Sequence, residues 1–478
     1  MLFQNLMQGF LDIIQSGAKT AMTKEQFVDH EVSEWITSKE RTWMLIGERY
    51  YAGKNDILNR KRTIVGEGGQ EVEVTNLANN RLVHGFVRKL VDQKVGYLLS
   101  KPISVQTDNQ QYRDALNNIF NKNFMRLLMN TGKEAVNKGK AWLHVYYDEN
   151  GNLGIKKIPS EQIIPFWRDA DHTELDAIVR VYEIVAYQGT EEKTITKIEF
   201  WDNTGVKRYE KTSEGMVPDV AFGDEASHFT VTVDGKEIGY NWERVPFICF
   251  KYNEEEISIV EMIKSLVDDY DEKKSDSSNN LEDLPNSIFV VKNYGGQDLG
   301  EFRRNLSQYR AALVGDNGGI DTISLDINVE AFKTHMDMMR KDIYEFGRGV
   351  DTQSQNFGNS PSGIALKFLY ADLDLDANII ETEFQASLEQ LLWFIDQHFA
   401  NTGIGDFAND DVDFVFNRSI IVNESDAIAN VKNSMGIVSE QTLLAHHPFV
   451  NDTSAELDQI KSESEQKLNA FNGLGTQA

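Results

Sequence analysis

The sequence predicts a mixed α/β chain of the α+β kind, with helical stretches on either side of a β-rich module. Three observations carry that expectation. Apolar residues recur at helical spacing before residue 140, short alternating runs replace them between 142 and 252, and a helical, acidic pattern resumes at 253. With 478 residues, 41% hydrophobic and 26% charged, the chain is long enough for about three domains of ordinary composition.

Residues 24–51 mix charges with Phe27, Val28, Trp35, Ile36, Leu45 and Ile46, and a basic loop (KNDILNRKRT) follows at 54–63. Leu82, Phe86, Leu90, Val91, Val95 and Leu98 predict a helix that stops before Lys101-Pro102. A further single helix is expected over 112–138, on Leu116, Ile119, Phe120, Leu127 and Leu128, with Gly139 closing it.

The β-rich module opens with a hairpin, strands 142–147 and 153–158 joined by a turn containing Asn150-Gly151. Strands are also expected at 177–187, 194–201, 205–210, 228–233 and 245–252. Asp202-Asn203-Thr204-Gly205 and Asp234-Gly235 mark turns among them.

Beyond 252 the chain turns acidic, with eleven acids against three bases in 253–283. Ser258 and Glu261 form a capping-box signature, and Ile259, Val260, Ile263, Leu266, Val267 and Tyr270 make one apolar stripe. The second half of that helix is polar on every side, so it is expected to need partners outside its own core. A β-α-β unit follows: strand 287–293, a helix carrying Phe302, Leu306, Tyr309 and Leu313, and strand 320–327. Val329, Phe332, Met336, Met339, Ile343 and Phe346 form a narrow helical seam. Residues 347–363 are a Gly, Ser, Asn and Gln loop, and 364–399 contain neither Gly nor Pro. That stretch is a helix of about 54 Å if straight. Gly403 ends it, and a strand at 411–421 and an acidic helical tail complete the chain.

A net charge of −27, from 75 acids and 48 bases, argues against a protein that grips DNA by neutralising phosphates. It is compatible with a surface that DNA slides past. Cys249 is the single cysteine and sits in the apolar run VPFICF, so an inert buried thiol is expected. No apolar run is long enough to cross a bilayer, and the opening residues lack a basic start, so neither a membrane span nor a signal peptide is expected.

Catalytic motifs are missing: there is no G-x-x-x-x-G-K-[ST], H-E-x-x-H or G-x-S-x-G. Gly66, Gly68 and Gly69 lack the strand-loop-helix context of a nucleotide site. His446-His447-Pro448 reads as a surface loop. Asp372, Asp374 and Asp376, with Glu383, follow a calcium-loop count, but Ala377 stands where glycine is needed, so a continuous helix without metal is expected. No catalytic residue, cofactor or metal is assigned.

Three segments together resemble the portal proteins of tailed double-stranded DNA phages, of the type common among siphophages of Gram-positive hosts. One runs from Val91-Asp92-Gln93-Lys94-Val95-Gly96-Tyr97 to Lys101-Pro102. Another joins Gly139-Lys140-Ala141-Trp142 to Ile158-Pro159-Ser160-Glu161-Gln162. The third is Ser362-Gly363-Ile364-Ala365-Leu366-Lys367. Their order and spacing agree over roughly 75–400. Ser100 departs from the usual glycine, and the C-terminal tail has no counterpart.

The resemblance implies a portal-type fold and a virion protein assembled in the host bacterial cytoplasm. Its copies would form a closed ring of about twelve subunits at one capsid vertex. It implies a wing over 1–252, stem helices over 253–283 and 327–347, and a clip over 284–326 between them. A tunnel loop is implied over 348–361, a long wing helix over 362–403, a wing strand over 404–422 and a crown over 423–478. Gly349, Val350, Asp351, Thr352, Gln353, Ser354, Gln355, Asn356, Phe357 and Asn359 would then face DNA in the channel. Arg303, Arg304 and Arg310 would form a docking face on the clip. Implied partners are double-stranded DNA, the terminase large subunit, a head-completion adaptor, and the major capsid and scaffolding proteins. Two other classes stay open on residues alone: another oligomeric virion scaffold or adaptor, and an acidic hydrolase.

Overall fold

A computed structural model of the chain describes residues 23–65, 69–75, 77–188, 190–213, 215–221, 223–282, 287–292, 298, 300–301, 308, 317–324, 329–353, 368–418, 424–445, 447–450 and 453–474. Two compact units divide it. The first takes the described residues up to Ala52, Val87–Met262 and those from Phe346 onward; the second takes Gly53–Phe86 and Ile263–Glu345.

The chain begins with α1 (Lys24–Thr37) and α2 (Lys39–Tyr51), then enters the second unit for the hairpin β1 (Thr63–Val65) and β2 (Glu71–Glu73). It returns along α3 (Phe86–Leu99) to β3 (Ser104–Gln106), α4 (Gln110–Ile119) and α5 (Lys122–Lys138). The β-rich module follows: β4 (Lys140–Tyr147), β5 (Leu153–Ile158), β6 (Ile163–Trp167), β7 (Leu175–Gln188), β8 (Glu191–Asp202), β9 (Gly205–Thr212), β10 (Gly215–Pro218), β11 (Glu225–Ala226), β12 (Phe229–Val233), β13 (Lys236–Tyr240) and β14 (Phe247–Lys251). Then come α6 (Ile259–Glu282), β15 (Ser287–Lys292), β16 (Gly319–Ser324), α7 (Val329–Phe346) and α8 (Ala371–Thr402). The described chain closes with β17 (Asp413–Val415), α9 (Glu424–Asn433), α10 (Glu440–Ala445) and α11 (Thr453–Leu474).

The first unit is layered around two sheets. The larger runs β10-β9-β8-β7-β6, with β11 on β9, and all pairs are antiparallel. Side chains alternate between its faces. Val179, Ile198 and Phe200 pack with Val28, Val32, Trp35 and Met44 of α1 and α2. Ile178, Trp201 and Val206 pack with Trp142, Phe247 and Cys249 of the smaller sheet β14-β4-β5. Beyond that sheet lies α8, where Phe384 meets Phe250 edge-on at 5.1 Å and Ser387 Oγ donates to the Cys249 carbonyl at 2.7 Å. Cys249 is buried, and burial pushes its thiol well above the ordinary range.

Three local expectations are corrected. The stretch 112–138 is two helices, because Asn121 Oδ1 accepts from Asn123 N and Phe124 N and starts α5 afresh. The strand expected at 411–421 is limited, among the described residues, to Asp413–Val415, which pairs with β3. Strand β6 was missing from the sequence reading; its Pro165 is tolerated because β6 is a sheet edge.

The segment resembling the portal pattern at 139–162 builds a buried ionic frame. Gly139 has φ 89°, and a Cβ there would lie 2.0 Å from the Glu256 carbonyl oxygen. Lys140 Nζ reaches Glu256 Oε2 at 2.5 Å and Glu40 Oε1 at 2.7 Å. Glu134 accepts from Ser160 N at 2.7 Å and pairs with Lys157, while Lys138 holds Glu161 at 2.5 Å.

In the second unit, α6 carries a buried polar face, and its partner lies in the same chain. Asp271 and Ser275 are fully buried and Asn279 nearly so. They accept the backbone N–H groups of His84 (2.9 Å), Leu82 (3.0 Å) and Asn80 (2.6 Å). Helix positions four apart thus meet strap positions two apart, running in opposite directions, because about 6 Å of helix matches about 6.6 Å of extended chain. The expectation that this half must look outside its own subunit is corrected for that face. Met336, Met339 and Ile343 of the α7 seam are buried, whereas Val329 and Phe346 at its ends are exposed. Strands β15 and β16 pair antiparallel; Phe302, Leu306, Tyr309 and Leu313 of the helix expected between them lie outside the described residues.

Candidate functional site

The site begins with a lysine on the wrong face of a helix. Along α3, Leu90, Val91, Val95 and Leu98 are buried at helical spacing, and Lys94 shares that face at 1% exposure. Asp376 occupies the equivalent place on α8, between buried Leu373 and Ile380. Lys94 Nζ donates to Asp376 Oδ2 at 2.7 Å, and Tyr252 donates to both Asp376 oxygens at 3.0–3.1 Å. Arg348 Nη1 lies 3.5 Å from Asp376 Oδ1.

These groups fasten the chain where it leaves α7. Lys94 Nζ also donates to the Arg348 carbonyl at 3.2 Å. Gln93 grips Val350 as a backbone would, accepting its N–H at 2.9 Å and donating to its carbonyl at 3.0 Å. Arg348 has φ 48°, a left-handed conformation that a β-carbon disfavours and that the surrounding bonds hold in place. Four residues along α3, the Tyr97 hydroxyl donates to Asp374 Oδ1 at 3.0 Å. Arg418 pairs with the same carboxylate and with Glu381 at 2.6 Å.

Burial dominates the electrostatics. It draws Lys94 below the ordinary lysine value despite the attraction of Asp376, and it lifts Tyr252 well above the ordinary tyrosine value, with Asp376 adding to the effect. Tyr97 is pushed up to about 12 by burial and by Asp374. The arrangement is therefore a clamp of charge-assisted hydrogen bonds converging on Asp376 and on the Arg348–Val350 backbone.

Of the loop residues named from sequence, Gly349 and Asp351 are half-buried and Thr352 and Gln353 are exposed. Val350 is buried at 4%, so it anchors the loop and is not one of its exposed residues. Ser354, Gln355, Asn356, Phe357 and Asn359 lie outside the described residues, as do Arg303, Arg304 and Arg310 and the segment 362–367. Asp372, Asp374 and Asp376 stand on the continuous helix α8 and diverge: Asp372 is exposed, Asp374 faces Tyr97 and Arg418, and Asp376 faces Lys94. Among the described residues no group of three or more His, Cys, Asp or Glu is placed to hold a metal, and no helix is long and apolar enough to cross a membrane.

Sequence reasoning quoted Gln93, Lys94 and Tyr97 as part of a pattern but gave them no role. The usable signal was a lysine and an aspartate, each on an otherwise apolar helical stripe, where a lone charge demands a partner.

Comparison with known proteins gives the family of the chain. Residues 36–469 match the family described as "Phage portal protein, SPP1 Gp6-like". The portal protein of Bacillus phage SPP1 is 32% identical over 426 residues, covering 88% of this chain and 84% of that one. The portal protein of Clostridium phage phiCD119 is 31% identical over 446 residues, covering 90% and 94%. The chain belongs to the SPP1 Gp6-like family of phage portal proteins.

Proposed function

We propose that copies of this chain close into a ring of about twelve subunits at one capsid vertex, through which double-stranded DNA is packaged and later ejected. The observation that carries this reading is the family match across residues 36–469. The charge of −27 supports it, since an acidic wall repels phosphates and lets a duplex move without adhering. The clamped segment supports it too: the chain is pinned at Arg348–Val350 and then presents Thr352 and Gln353 to solvent, as a loop that reaches toward DNA would require.

On this reading the two-sheet first unit with its helices is the wing, α6 and α7 are the stem, and 284–326 is the clip. The 348–361 segment is the tunnel loop and the residues after 423 are the crown. A two-stranded ribbon such as β15-β16 is marginal by itself in water, so neighbouring clips would stabilise it. Arg303, Arg304 and Arg310 would dock the terminase large subunit and later a head-completion adaptor, and the wing would meet the major capsid and scaffolding proteins. Assembly would take place in the host bacterial cytoplasm.

The buried carboxylates support a structural role over hydrolysis. Glu134 and Glu256 are paired with lysines, Asp376 with Lys94, and Asp271 with His84 and Asn55. Deleting 353–356 tests the assignment of the loop. Rings should still form while DNA packaging into proheads fails; normal packaging by the deletion variant would remove the loop from the channel.

A further inference from the structure

Gln93 and Lys94 do more than fill space in the first unit. Between them they hold three backbone groups of Arg348–Val350: the Arg348 carbonyl, the Val350 N–H and the Val350 carbonyl. Lys94 at the same time holds Asp376 in the second turn of α8, and Tyr97, one turn further on, holds Asp374 beside it. Both ends of the segment that joins α7 to α8 are thus registered against two turns of a single helix. α3 sets the separation of the two ends.

Lys94 combines burial with two directed contacts. Its ammonium is nearly sealed from water, where a hydrophobic side chain of similar length is often as stabilising as an ion pair or more so. What a methionine lacks is the donor directed at the Arg348 carbonyl and the charge that selects Asp376. In some proteins polar groups retained in such places specify one arrangement among several, and here they hold the root of the loop.

We propose that Gln93 and Lys94 are positioning residues that set where the DNA-facing loop stands in the channel, by locking its root and the start of α8 to one face of α3. The proposal rests on the reading of 348–361 as the tunnel loop. Removing the two Gln93 bonds, or the Lys94 bonds, should leave a ring whose loop no longer holds one position.

The buried and unreactive Cys249 makes a direct test possible, because a cysteine introduced as Gln353→Cys is then the only residue open to a spin label. Label mobility and DNA packaging into proheads are measured in assembled rings of that background and of two variants. One adds Gln93→Ala, which alters a half-buried side chain. The other adds Lys94→Met with Asp376→Leu, which removes both buried charges together. In each, the label should become more mobile and packaging should fall with it; in Gln93→Ala the seated conformation should lose about tenfold in population, for the two hydrogen bonds lost to Val350. Gln93→Glu, which keeps the acceptor for Val350 N–H, should fall between the parent and Gln93→Ala. If the double variant does not fold, Gln93→Ala still decides the matter. Rings of normal stability with unchanged label mobility would overturn the proposal, whatever happens to packaging. Increased mobility with normal packaging would instead keep the clamp and count against the loop's place in the channel.

Discussion

Lys94 Nζ lies 2.7 Å from Asp376 Oδ2, and neither side chain is more than 4% exposed. This pair crosses 282 positions of sequence to join α3 to α8. Lys94→Met leaves a buried carboxylate with only Tyr252 and the more exposed Arg348, so it should cost about 3–5 kcal/mol. The double variant with Asp376→Leu should recover most of that loss. Urea denaturation of the four corners of the cycle checks this, and additive losses would mean that the two groups are not coupled.

Gly139 and Gly151 both have positive φ, at 89° and 78°, but only Gly139 faces backbone, the Glu256 carbonyl oxygen. Gly151→Ala should therefore cost about 1–2 kcal/mol, the ordinary left-handed penalty. Gly139→Ala should cost more and release the Lys140–Glu256 contact. Thermal melts of the two variants compare them directly.

Acid should weaken the first unit in two steps. His144 is buried against Phe247, and burial, then Lys156 and Arg180, hold it well below its ordinary value. Its contribution is full above about pH 6.5 and is lost as pH falls below that. Burial raises Glu134 and Glu256, but Lys138 and Lys157 at the first and Lys140 at the second more than reverse it, so both are lowered. Their contribution is full above about pH 4.5 and is lost as pH falls through the lowered values. Urea midpoints across this range should decline twice. His144→Phe should flatten the upper step and Glu134→Gln the lower one.

The strap on α6 makes a residue-level expectation. The amides of Asn80, Leu82 and His84 donate to side chains of α6, so they should exchange slowly for residues in an extended segment. Ser275→Ala should speed exchange at Leu82 above all. Asp271→Leu strands donors of His84 and Asn55 and should destabilise the second unit by about 3 kcal/mol or more.

Legibility in the sequence followed how local each cause was. Runs such as AIVRVYEIVAY and TITKIEFW announced β7 and β8 because alternation and β-branched residues act along the strand itself. The break at Phe120 and Asn121 was hidden because apolar spacing continues across it while a single Asn side chain restarts the helix. The polar half of α6 was expected to find its partners outside its own subunit, but the partner of its buried face, residues 80–84, lies in the same chain about 190 positions away. The same distance concealed the clamp. Val91 to Tyr97 was recognisable as a pattern, and Asp372 to Asp376 as a row of acids, yet nothing local shows that Lys94 and Tyr97 of the one meet Asp376 and Asp374 of the other.

The central claim is that the protein works as a closed ring with an open channel. Mass measurement of the purified protein in solution, joined to negative-stain images of the same sample, tests it most directly. The expected result is a single species of about twelve times the 54.4 kDa chain mass, with end-on views showing a stain-filled centre. A protein that stays monomeric at micromolar concentration with assembly partners supplied, or an oligomer with no central channel, would contradict it.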